Sequence, residues 1–188
     1  MTRVRLEIDH IVIHRPKKRW RLYFIVVTEH PSDPDKLVVS MIPQNSILVV
    51  PDQQNTVYFE SAGNGTNGLH VLTRPIPEDR ELNVHVYVMH SRRSLKEIGK
   101  ILEDIEKGVG GESLGLVTDI LGTTTPWLSI ARRALPLIGQ VVAKIPDRNM
   151  GFVSMFERFG SEFRNQVELD REARGGNVSV VYSWSVDR

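Results

Sequence analysis

The stretch NVSVVYSWSVD, residues 177–187, decides how the chain is read. Val178, Val180, Tyr182, Trp184 and Val186 alternate with Ser179, Val181, Ser183 and Ser185, the two-residue period of a strand with one face buried. So complete an apolar face must be paired and covered by strands from elsewhere in the chain. The N-terminal residues offer a partner: Val4, Leu6 and Ile8 alternate with Arg5, Glu7 and Asp9, and Ile11 and Ile13 continue in the opposite phase. A bulge between Asp9 and His10 explains the slip. Trp20, Leu22, Phe24 and Val26 then fall on one face of a second strand, which the turn at residues 15–18 joins to the first as an expected hairpin.

Shorter β-prone runs follow at residues 37–42, 47–50, 57–60 and 69–73, separated by Pro43, Pro51 and the GNGTNG loop at residues 63–68. Leu82, Val84, Val86 and Val88 alternate with Asn83, His85, Tyr87 and Met89, and the β pattern returns at residues 152–156 before the terminal strand. Many short strands at this spacing predict a mainly β (α+β) antiparallel sandwich.

Between them the period changes. Ser94 and Glu97 form a capping box ahead of Leu95, Ile98, Ile101, Leu102 and Ile105, with Gly108 as the stop. Residues 114–121 read as a second short helix ending at Gly122. Thr125 and Pro126 open a third running to Ile145, with Pro136 expected to kink or split it. The chain is thus one domain, 1–188, with a two- or three-helix insertion at 94–145 before the C-terminal strands. Deleting the last strand should unfold all of it.

Composition excludes more chemistry than it suggests. The 188 residues contain no cysteine, which removes disulfides, thiolate nucleophiles and cysteine-bound zinc. Lys plus Arg number 24 against 23 Asp plus Glu, so any electrostatic function is local. No window is apolar enough for a membrane-spanning helix, and the charged N-terminus MTRVRLEIDH lacks a secretion signal's core, so a soluble, cytoplasmic protein is expected.

HRPKKRWR, residues 14–21, concentrates Arg15, Lys17, Lys18, Arg19 and Arg21 at one turn. It reads first as a solvated charged turn, then as an anion- or lipid-binding patch. GVGGESLG, residues 108–115, has glycines for a phosphate loop but no Lys-Ser/Thr and no preceding strand, so it reads as a connector. The histidines show no HExxH spacing, no G-x-S-x-G elbow exists, and neither metal nor cofactor is expected. The apolar segment 114–145 carries Trp127, Leu128, Arg132 and Arg133, candidates for gripping a partner if the helices are exposed.

The strand order, the long loop-rich middle and the terminal Tyr/Trp-bearing strand resemble a C2-like β-sandwich with a helical insertion, over roughly 1–89 and 151–186. Calcium-binding members of that family carry several loop aspartates, and Asp33-Pro34-Asp35 alone echoes them. The resemblance implies the fold, with neither calcium nor lipid binding assigned. The functional expectation is a non-enzymatic module that binds a protein partner, or itself, through the insertion. The alternative is an anionic-membrane domain using the basic turn; nucleic acid is not an expected partner.

Overall fold

A computed structural model describes residues 2–50, 55–59, 68–92, 100–110, 113–117, 127–164 and 168–187. Among the described residues, eleven strands form two antiparallel sheets packed face to face. In the first sheet β1 (Arg3–Ile13) lies beside β11 (Val178–Asp187), which pairs on its far side with β10 (Glu168–Gly175). The other side of β1 is shared by β4 (Thr56–Tyr58) and β5 (Leu69–Pro75). The second sheet runs β7 (Ser113–Val117), β8 (Trp127–Ala131), β3 (Asp33–Val49), β2 (Trp20–His30), β6 (Glu81–His90) and β9 (Arg148–Arg158).

The alternation of the terminal strand is used as it reads. Val178, Val180, Tyr182, Trp184 and Val186 are buried between the sheets with Val4, Leu6 and Ile8 of β1, and the β1–β11 register shifts between Ile8 and His10, where the bulge was expected. The expected hairpin is wrong. β1 and β2 belong to different sheets, and residues 14–19 cross between them at one end of the sandwich. Alternation shows which side chains turn inward. It cannot tell a strand that pairs with its predecessor from one that faces it across the core, because both bury the same face.

Pro43 does not divide two strands either. β3 runs through it, and pairing with β2 jumps from Leu22–Ile47 to Phe24–Ile42, so the proline falls where no ladder N–H is required.

A second core lies behind the second sheet. Tyr23, Ile25 and Val27, the other face of β2, join Leu37, Val39, Leu128 and Ile130 beneath two helices, α1 (Ile101–Val109) and α2 (Leu135–Lys144). Ile101, Ile105, Ile138 and Val142 point down onto the sheet. α1 and α2 approach so closely that a Cβ on Gly108 would stand 2.4 Å from Val141 Cγ2. The helices are a third layer, and they cover only part of the sheet.

The insertion departs from its reading in three places. Residues 113–117 form β7 and the segment from Trp127 begins as β8, extending the sheet beyond β3; short apolar runs carry no decisive period. Gly108 lies inside α1, which ends at Gly110 with φ +61°. Pro136 stands in the first turn of α2, where its missing N–H costs nothing, so it starts the helix instead of kinking it. The Ser94–Glu97 box, Thr125-Pro126, Gly122 and most of the GNGTNG loop fall outside the described residues. Among the described residues no helix is long and apolar enough to cross a membrane.

Candidate functional site

At the end of the sandwich where β2 begins, three separate segments meet. The crossover at residues 14–19 is exposed throughout, and Arg21 projects from the start of β2. Arg92 follows β6, and Arg148 opens β9 opposite His90. Trp20 is their common floor: fully buried, it lies under Lys17 Nζ and Arg148 Cζ, each 5.8 Å from its ring, and meets His90 edge-on at 4.7 Å.

One carboxylate organises this end without neutralising it. Asp147, 7% exposed, accepts a 2.7 Å hydrogen bond from the Tyr23 hydroxyl and a 2.8 Å bond from the Arg92 main-chain N–H. It thereby ties the segment after β6 and the exit of α2 to β2. Arg15, Lys17, Lys18, Arg19, Arg21, Arg92 and Arg148 form no ion pair with a described carboxylate.

His90 registers the resulting field. Burial lowers its pKa below the ordinary 6.5; hydrogen bonding at the Arg21 carbonyl opposes the shift, and the charges of Lys17, Arg148 and Arg92 add to it. Its Nδ1 lies 3.2 Å from the Arg21 N–H and 3.3 Å from the Arg21 carbonyl. Neutral, Nδ1 accepts from the first; protonated, it donates to the second.

Beside this end, the uncovered part of the second sheet exposes aromatic rings. Phe152 is 43% and Phe156 51% exposed on β9; Phe152 stacks on His85 at 5.5 Å and touches Tyr87 at 4.8 Å. Burial pushes His85 below 6.5 and Tyr87 above 10.0.

The opposite end carries a cleft of about 510 Å³ between the β2–β3 turn and the β5–β6 connection. Arg74, 3% exposed, lines it and donates from Nη1 to the Glu29 carbonyl at 2.8 Å, joining the two sheets. Burial lowers the Arg74 pKa, against the attraction of Glu29 and Asp79.

The sequence's candidates divide between these places. Arg15, Lys17, Lys18, Arg19 and Arg21 stand together at the cationic end. Leu128, Arg132 and Arg133 make no common surface. Trp127 opens β8 opposite Ser40, and Arg133 is exposed on the turn after β8. Leu128 is fully buried in the second core, which corrects its reading as a partner contact: the helices and the sheet already cover it. Arg132 lies at the cleft, where Nη2 meets Glu29 Oε1 at 2.7 Å and Nη1 donates to the Pro34 carbonyl at 3.1 Å.

Sequence reasoning missed Arg92, Arg148 and Arg74. The first two lie beyond strand ends with no local pattern, whereas Arg74 had a signal, since it shares the inward parity of Leu72. Among the described residues no three His, Asp or Glu side chains converge as metal ligands. No protein-family model matches the chain, and no curated protein matches it.

Proposed function

We propose that this protein is a non-enzymatic interaction module that binds an acidic protein partner at the cationic end of its sandwich. The observation that carries the proposal is the convergence of Lys17, Arg92 and Arg148 around His90 and Trp20 with no described carboxylate in ion-pair contact. Uncompensated like charge costs free energy when it is gathered, and a complementary surface recovers it while accelerating encounter. The burial of Ile138 and Val142 of α2 with Leu128 of β8 in the second core favours a contact at the cationic end over one on the insertion.

Anionic lipid, in the manner of a C2-like domain, is the second reading, favoured by the exposed Lys17, Lys18 and Arg19 at the tip. A protein is favoured over a membrane by one feature: Trp20 is buried beneath the crossover, so no Trp, Tyr or Phe ring of residues 14–21 is exposed to insert. An acidic partner needs no such insertion.

The test compares the parent with a K17E/K18E/R19E variant for binding to a Glu-rich, Trp-containing peptide and to phosphatidylserine vesicles. Peptide binding that weakens with salt and is lost in the variant supports the proposal. Binding to vesicles alone favours lipid, and equal binding by parent and variant removes both readings.

A further inference from the structure

The cleft at the far end contains charges that the fold leaves unmatched. Two of its carboxylates are spoken for: Glu29 holds Arg132 at 2.7 Å, and Asp33 holds Lys36 at 2.7 Å. Three charged groups remain. Arg74 is buried, makes one hydrogen bond to a main-chain carbonyl, has no partner at Nε and has no described carboxylate in ion-pair contact. Across the opening, among the described residues, Glu78 forms no hydrogen bond or ion pair, and Asp79 accepts only the Glu81 main-chain N–H at 3.1 Å. A guanidinium withdrawn from water is costly when, as here, Glu29 and Asp79 attract it but no described carboxylate is in ion-pair contact with it, and an anion that touched it would lower that cost.

We infer that this cleft is a binding site for a small zwitterion, whose carboxylate lies against the Arg74 guanidinium and whose ammonium lies toward Glu78 and Asp79. The unmatched charges choose the class. A free dianion would meet Glu29, Asp33, Glu78 and Asp79 as well as Arg74, and a simple amine would leave Arg74 uncompensated. A molecule carrying one charge of each sign satisfies both walls. The volume, about 510 Å³, lies within the range of small-molecule sites, roughly 300–1,000 Å³. The cleft sits at the other end of β2 from the cationic crossover, so this site and the proposed partner surface stand or fall separately.

The test is a titration of the isotope-labelled full chain, followed by NMR, with amino acids of increasing charge separation: glycine, β-alanine, γ-aminobutyrate and 6-aminohexanoate. Their N-acetyl and amide derivatives and acetate serve as controls. One length should saturate, shifting signals of residues 29–34 and 74–79, and removing either of its charges should weaken binding by roughly tenfold or more, as loss of a charged hydrogen-bond partner does. R74Q and an E78Q/D79N variant should each give the same loss, whereas K17E/K18E/R19E should bind as the parent does. Because Glu78 and Asp79 are exposed, the E78Q/D79N result stands even if R74Q does not fold. No saturation up to roughly 10 mM, at the weak end of such affinities, overturns the inference. So does acetate binding as tightly as the amino acids, or E78Q/D79N binding like the parent.

Discussion

The two ends of this sandwich handle charge in opposite ways. At the cationic end the cations are mostly exposed, on a buried aromatic floor, and the carboxylate of Asp147 is spent on hydrogen bonds to Tyr23 and Arg92. At the cleft end both signs are present and one cation, Arg74, is buried with no described carboxylate in ion-pair contact. Exposed like charges cost little and act over about a Debye length, whereas a buried charge costs much and acts on what touches it. The first arrangement suits a broad partner surface and the second a small ligand. β2 carries both, its ends separated by ten residue steps or roughly 33 Å.

The contrast is sharpest in stability. Trp20→Ala should cost about 3–5 kcal/mol, as large aromatic truncations in a packed core do, and should release Lys17 and Arg148 from their floor. Arg74→Met, equally buried at the other end, should leave the protein within about 1 kcal/mol of the parent or stabilise it, since an apolar side chain replaces an unpaired charge. Urea unfolding separates the two. A loss from Arg74→Met as large as that from Trp20→Ala would mean that the guanidinium is structural and the comparison fails.

Asp147→Ala should cost about 2–3 kcal/mol, because it removes the buried acceptor of the Tyr23 hydroxyl and the Arg92 N–H. Glu29→Gln, which loosens the Arg132 pair at the cleft, should cost less than about 1 kcal/mol, since that pair is exposed. Equal costs would show that the cleft pair is as built-in as the buried aspartate.

The K17E/K18E/R19E variant should change stability by a few tenths of a kcal/mol at most, in the stabilising direction, and added salt should shrink the difference. Melting temperatures at low and high salt measure it. A clear destabilisation would mean that these side chains hold the crossover in place.

The pH dependence is the smallest effect expected. His90 and His85 have folded pKa values below 6.5, so the unfolded chain binds more protons near that pH. Their contribution is complete above pH 6.5 and is lost as the pH falls from 6.5 through the lowered values. His90→Asn should flatten this slope. An anion bound at the cationic end offsets the charges that depress His90, so its binding should tighten over the same acid range.

Much of the frame was legible, and for one reason: strand period is local. The faces of β1, β6 and β11, and the bulge after Ile8, could be read because alternate side chains either turn inward or do not. What decides the site is not local. Residues 14–19 look the same in a hairpin as in a crossover, and the difference lies in which distant strand β1 and β2 each pair with. Leu128 reads as exposed or buried according to whether the helices dock, and that depends on the apolar second face of β2, where Tyr23, Ile25 and Val27 needed a cover of their own. The site residues outside the basic turn, Arg92, Arg148 and Arg74, come together only through strand ends separated by many residues. Arg74 alone carried a warning, a charge at an inward position.

The most direct test of the central claim is to map the contact of a Glu-rich, Trp-containing peptide on the isotope-labelled protein by NMR. The predicted result is a single set of perturbed residues at 14–21, 90–92 and 147–148, absent from 29–34 and 74–79. Perturbations centred on the helices or the cleft, or none at all, would contradict the assignment of the cationic end as the binding face.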